Sequence, residues 1–331
     1  MTERFLLGLE RFKNILTMEQ EELHSYALGR LESYFQKEDI FELKGSYLYA
    51  KGNIPVLLCA HFDTVHFAKP TLATLLHDQE KDVMWCPDGI GGDDRCGVFS
   101  ILEILEAGYL PHVVFSWDEE IGGVGATKLT QDIENRFGNV ITNSFNEINF
   151  AIQFDRKGFG EAVYYYLDSP EFEEYINSFG FKTELGSYTD ICEYCPEFGF
   201  AGVNISAGYI NEHTTSEMIF IDEMENSIHK VMNILEDQIE NSTFFPYKEK
   251  SNSWGFYQRE NYFFDDISNG ADTSLVEDTL IGMDEIPPEE YCQYCMLERS
   301  QTNWSHSDDP VLSKLCDDCR IVYKQEAGDV E

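Results

Sequence analysis

The chain has 331 residues, 43% of them hydrophobic, and a formal net charge of −38 at pH 7. That length holds one sizeable core plus a small extra module. So acidic a chain has no surplus of Lys or Arg to displace phosphate counterions, which excludes nucleic-acid binding. No stretch approaches the roughly 20 apolar residues of a membrane span.

The apolar run from Phe5 to Leu9 is too short for a signal peptide and is flanked by Glu3, Arg4, Glu10 and Arg11. A cytoplasmic location is expected. The nine cysteines are an odd number. Four of them form two C-terminal CxxC pairs, which fits a reducing compartment and metal binding better than a disulfide framework.

Residues 3–36 read as helical. Phe5, Leu6, Leu9, Phe12 and Ile15 recur every three to four positions, and a second helix covers 19–35. Residues 41–50 alternate like a strand, and 54–60 form an apolar run typical of a buried central strand. An amphipathic helix over 96–107 stops at Gly108. A second buried strand, 112–117, ends on an acidic triplet. Helix is expected over 124–137, strand over 149–154 and 162–167, and helix over 170–179. A short strand, 202–206, precedes a long closing helix over 221–239. Strands alternating with helices predict an α/β fold, a three-layer αβα sandwich around a mostly parallel sheet.

Chemistry-bearing residues cluster where these strands end. His61-Phe62-Asp63 follows the first central strand. Residues i and i+2 of a strand share a side, so Asp63 is placed to hold the His61 ring. Asp93 and Asp94 lie in a glycine-rich turn before a helix, where Asp94 suits an N-cap. Asp118-Glu119-Glu120 follows the second strand. Three adjacent carboxylates repel one another, and a cation relieves that repulsion. Asp155 ends the third strand, and His213 lies in Asn211-Glu212-His213-Thr214. Taken singly, these groups also read as a hydrogen-bonded histidine, a helix cap and a solvated acidic loop. The ordered set supplies the imidazole and oxygen donors that a pair of zinc-like ions takes.

The motifs Cys59-Ala60-His61-Phe62-Asp63-Thr64-Val65, Gly91-Gly92-Asp93-Asp94-Arg95-Cys96-Gly97 and Trp117-Asp118-Glu119-Glu120-Ile121-Gly122 resemble the co-catalytic zinc exopeptidases of clan MH. That group includes aminopeptidases, tripeptidase-type peptidases and glutamate carboxypeptidases. The resemblance covers residues 40–240. It implies that His61 and Asp155 hold one ion, Glu120 and His213 the other, and that Asp93 bridges them. It also implies Glu119 as general base and Asp63 as the residue orienting His61. Zinc is the expected metal at both positions, with cobalt or manganese as substitutes. Gly208-Tyr209 and Thr189-Asp190 are expected to flank the site as substrate contacts. Asp155 and His213 are only 58 positions apart, too few for the lid domain of many relatives, so a compact form is expected.

Composition shifts after about residue 243. Between Glu260 and Glu290 there are ten acidic residues and no Lys or Arg, the mark of a linker or arm. Cys292, Cys295, Cys316 and Cys319 form two CxxC pairs twenty residues apart, the spacing of a four-thiolate structural zinc site. A segment this small needs such a staple. The expected division is a metallopeptidase-like domain at 1–245, an acidic aromatic-containing arm at 246–285 and a zinc-ribbon-like module at 286–331. The acidic module points to a protein partner. The Cys192/Cys195 pair has no second pair nearby and reads as packing or turn chemistry.

The sequence thus predicts a zinc-dependent peptidase or amidohydrolase acting on small peptides, most simply an aminopeptidase-type exopeptidase. Two alternatives are a deacylase for N-acyl amino acids or small metabolites, and a non-catalytic peptidase-like fold that binds partners through the zinc ribbon.

Overall fold

The computed structural model describes residues 3–135 and 144–250. The acidic arm beyond 250 and the four-cysteine module, with the structural zinc expected there, lie outside the described residues. Two helices, α1 (Glu3–Thr17) and α2 (Gln20–Leu31), open the chain. A capping box starts α2, with the Glu19 amide donating to the Glu22 carboxylate at 2.9 Å.

An eight-stranded sheet follows, built from β1 (Ile40–Leu43), β2 (Tyr47–Ala50), β3 (Ile54–His61), β6 (Pro111–Ser116), β7 (Phe150–Arg156), β8 (Glu161–Val163), β9 (Lys182–Glu184) and β10 (Ala201–Ser206). Its order is β1-β2-β6-β3-β7-β10-β8-β9. The central four, β6-β3-β7-β10, are parallel; β1, β2 and β8 join antiparallel. The alternation over 41–50 conceals a hairpin, for the chain reverses between Leu43 and Tyr47.

Helices cover both faces. Val56, Leu58 and Ala60 of β3 pack into a core shared with α1, α2, α3 (Gly92–Glu106) and α7 (Ile221–Asn241). Leu57 and Cys59 point the other way, toward α4 (Val124–Asn135) and α6 (Ile191–Phe198). This period of two, apolar on both sides, is why β3 reads as a continuous apolar run. The remaining helix, α5 (Pro170–Ser178), starts with proline in its first turn, as its sequence predicts. The chain has seven helices among the described residues, and none is long and apolar enough to cross a membrane.

Two features have no counterpart in the sequence reading. One is a small antiparallel sheet separate from the main one, in the order β11 (Tyr209–Ile210), β12 (Met218–Phe220), β5 (Val83–Trp85) and β4 (Leu76–Asp78). The other is helix α6 itself, which carries the Cys192/Cys195 pair with Cys195 buried. The residues between Asp155 and His213 are spent on β8, α5, β9, α6 and β10, so this stretch extends the main sheet instead of forming a lid.

The chain stays attached past residue 245. The Ala201 amide donates to the Phe245 carbonyl at 2.8 Å, the Tyr247 amide to Gly199 at 2.9 Å and the Lys250 amide to Tyr166 at 2.8 Å. The Phe245 ring packs on Phe150, Phe172 and Tyr175. A chain ending at Lys250 should therefore remain folded, whereas one ending at Asn241 should lose several kcal/mol, at least the ~3–5 kcal/mol of a Phe→Ala core deletion. Urea unfolding midpoints of the two truncations check this; equal midpoints would rule out the tail as part of the domain.

His112 on β6 is buried, and its Nδ1 lies 2.8 Å from the Tyr49 hydroxyl. Burial, helped by Lys51, pushes it down to about 3 from 6.5. In the window between those values the unfolded chain binds the proton and the folded chain does not, so stability rises with pH there. The contribution is complete above about pH 6.5 and falls by ~1.4 kcal/mol per pH unit below it. His112→Gln should flatten the urea midpoint between pH 6.5 and 5, removing a slope worth about 2 kcal/mol over that range. An unchanged slope in the variant would show that other groups carry it.

Candidate active site

The parallel strands deliver their carboxyl ends to one edge of the sheet, where α/β folds place their sites. His61 of β3 is in register with Ser116 of β6, and Cys59 with Gln153 of β7. The residues after each strand therefore converge. His61 ends β3, the acidic triplet follows β6, and Asp155 lies at the end of β7. Asp93 enters from the turn before α3, and His213 from the loop between β11 and β12.

Asp93 lies between the two histidines. His61 Nε2 is 3.4 Å from its Oδ1, and His213 Nε2 is 3.2 Å from its Oδ2. Each imidazole faces one further carboxylate: Asp155 Oδ1 lies 3.4 Å from His61 Nε2, and Glu120 Oε2 lies 3.0 Å from His213 Nε2. Glu119 Oε2 stands 4.0 Å from His61 Nε2. The five residues expected as ligands thus fall into two halves joined by Asp93, with Glu119 beside them.

Asp63 has two tasks. Its Oδ1 lies 3.2 Å from His61 Nδ1, on the ring edge away from the cluster. Its two oxygens also accept the backbone N–H groups of Glu119 and Glu120, at 3.1 and 3.0 Å. One carboxylate therefore fixes the ring and the acidic loop together. Burial alone would raise Asp63, but His61 and the amides of Glu120 and Glu119 outweigh it and hold the carboxyl below its usual range. Asp118 bends this loop with a positive φ of 57° and meets Gln20 at 3.4 Å. Asp94 accepts the amides of His61 and Gly97, at 3.1 and 2.9 Å, the latter closing the first turn of α3 as an N-cap does.

Carboxyl groups outnumber imidazoles here, and the charge shows it. Burial and Asp155 push Glu119 well above the usual carboxylate range; burial and Asp93 push Glu120 up to about 7. Hydrogen bonds that its ring donates to Asp93 and Glu120 raise His213 to about 11. His61 is raised despite burial, by Asp63 and Asp155, while Asp93 is held low between the two rings. The cluster draws in positive charge. His61 Nε2, Asp93 Oδ1 and Glu120 Oε1 are buried with no hydrogen-bond partner among the described residues. His61, Asp93 and Glu120 offer ligand atoms within 4.8 Å of one another, as do His61, Asp94 and Asp155. Orphaned buried donors and acceptors of this hard and borderline type fit divalent cations.

Two of the expected substrate contacts point at Asp155. The Thr189 hydroxyl donates to Asp155 Oδ2 at 2.5 Å, and the Tyr209 hydroxyl to Asp155 Oδ1 at 3.3 Å. Both side chains are buried, and their hydroxyls support Asp155. Asp190 is buried against the Ser116 hydroxyl. Gly208 is a packing position, because a Cβ there would meet the Met224 nitrogen at 2.7 Å. The sequence reading missed Asn204, which accepts the Asp155 amide at 2.9 Å and donates to the Asp155 carbonyl at 2.9 Å.

No family model and no curated relative matches the sequence. Solved structures do match the fold. An aminopeptidase PepT from Bacillus cereus superposes with a TM-score of 0.54 at 13% identity, over 70% of this chain and 98% of that one. A tripeptidase from Staphylococcus aureus gives 0.54 at 14%, over 71% and 98%. A TET aminopeptidase from a marine-sediment archaeon of the Thaumarchaeota gives 0.52 at 14%, over 71% and 99%. The fold is the one that these aminopeptidase and tripeptidase structures share. At such identities likeness carries the architecture, and the chemistry has to come from the residues.

Proposed function

We propose that the protein is a co-catalytic two-metal exopeptidase acting on small peptides, most simply an aminopeptidase. The observation that carries this reading is Asp93, set between His61 and His213, each of which faces its own second carboxylate. In this reading His61 and Asp155 hold one ion, Glu120 and His213 the other, and Asp93 serves both. Two such ions, when bound, polarise a carbonyl and lower the pKa of water.

The chain's own residues supply the rest. Glu119, 4.0 Å from His61 Nε2, accepts the proton of the attacking water and returns it to the leaving amine. Asp63 keeps Nδ1 of His61 engaged, so that Nε2 faces the centre. Thr189, Tyr209 and Asn204 hold Asp155 at both its side chain and its backbone.

Charge favours a peptide with a free amino terminus over an acyl amino acid. The cluster is rich in carboxylates, and the basic residues following Asp155 are engaged elsewhere, Lys157 with Glu212 and Arg156 with Glu161. A protonated α-amine is attracted to such a site and a substrate carboxylate is not. The metal-loaded full chain should release N-terminal residues from tripeptides, and N-acetylation of the peptide should block release. Hydrolysis of N-acyl amino acids in preference to free peptides would move the reading to a deacylase. Failure to hydrolyse either class with both ions bound would leave the peptidase-like binding module.

A further inference from the structure

Glu217 lies outside every motif that carries the site. It follows His213 by four positions and precedes β12, and its side chain is fully buried. A buried carboxylate needs partners for both oxygens. Glu217 finds them in the glycine-rich turn: Oε2 accepts the Gly91 amide at 2.8 Å, and Oε1 accepts the Asp93 amide at 2.9 Å. His66 Nε2 lies 2.9 Å from Oε2. The buried Arg95 guanidinium supplies compensating charge close by. The fit leaves no slack, because a Cβ on Gly92 would come within 2.8 Å of Ile219 and 3.1 Å of Glu217 Oε1.

This one side chain ties together two segments that approach the centre from different parts of the chain. The Glu217 amide donates to the Thr214 carbonyl at 3.1 Å, so Glu217 closes the loop that bears His213. Its carboxylate closes the turn that bears Asp93. His213 and Asp93 are the pair facing each other at 3.2 Å. Both donors in the turn are backbone N–H groups, and a carboxylate is acceptor-only, so it satisfies both. A glutamine of the same size would present its NH₂ to one of them, donor against donor.

We propose that Glu217, held in place by His66, is the positioning residue that sets Asp93 between the two histidines and thereby fixes the affinity of the centre for its ions. The proposal rests on the two-metal reading above and concerns residues that do not touch substrate. Outer residues that orient ligands typically cost 10–100-fold in metal affinity when replaced.

The test is a cobalt(II) titration of the metal-free full chain, read by visible absorption, with circular dichroism and thermal melting of the metal-free proteins alongside. Thiolate-bound cobalt is separated by its near-ultraviolet charge-transfer bands, so uptake by the C-terminal cysteines serves as an internal reference. Glu217→Gln should weaken cobalt binding at the carboxylate–imidazole centre by about 10–100-fold. His66→Leu should shift it in the same direction, and His66→Gln, which keeps a donor, should restore it toward the wild-type value. If Glu217→Gln does not fold, the two His66 variants decide. Wild-type cobalt affinity in folded Glu217→Gln or His66→Leu, with only a lowered melting temperature, would overturn the positioning role and leave the two-metal reading standing. A wild-type chain that takes up cobalt only at thiolates would overturn both.

Discussion

Glu119→Gln is expected to lower turnover of a peptide substrate by about 10²–10⁴-fold, the usual worth of a positioned acid–base group, with metal content unchanged. Glu119 stands 4.0 Å from His61 Nε2, farther than Asp93 or Asp155, and its side chain is almost fully enclosed. Glutamine keeps the size and the backbone N–H bond to Asp63 Oδ1 and removes only the proton acceptor. Glu120→Gln makes the contrast, because Glu120 Oε2 lies 3.0 Å from His213 Nε2 within the ligand set. It should lower metal content along with turnover. Activity measured against bound metal for the two variants separates the roles. Near-full turnover in Glu119→Gln would remove it as the base.

Asp93→Ala should have the largest effect on metal binding, abolishing tight uptake at both positions. Among the described residues, Asp93 is the one carboxylate within 3.4 Å of both imidazoles, so its removal opens both halves. Asp155→Ala and Glu120→Ala each disturb one half, and each should leave one ion bound. The backbone at Asp93 stays tied to Glu217 through its amide, so the alanine variant should keep its fold. Metal content after dialysis checks the series. Two ions retained in Asp93→Ala would show that it bridges nothing.

Three of the candidate positions were legible because His61, the acidic triplet and Asp155 end or follow strands that are apolar on both faces, whereas Asp93 lies in the turn before α3 and His213 in a loop between two short strands. His61 after β3 and the triplet after β6 are read from local pattern alone. Direction was not legible. Thr189 and Tyr209 are near the site as their positions imply, but their hydroxyls turn inward to Asp155, which spacing does not encode. Glu217 gives no sequence signal, being one acid among 61 Asp and Glu residues; only burial sets it apart.

The elements follow the same logic. Strands β4, β5 and β12 have three residues each, too few for a period of two to show, and β11 has two. Helix α6 carries Pro196, which argues against helix locally, yet Ile191, Tyr194 and Cys195 pack under the sheet and tertiary burial prevails. In the first hairpin, Gly45 at φ 76° makes the turn inside what reads as one alternating strand.

The central claim is that one carboxylate serves two ions. Anomalous diffraction from zinc-loaded crystals tests it most directly. Two peaks on either side of Asp93, about 3.5–4 Å apart, one against His61 and Asp155 and the other against Glu120 and His213, are predicted. A single peak, or peaks that leave Asp93 untouched, would contradict it.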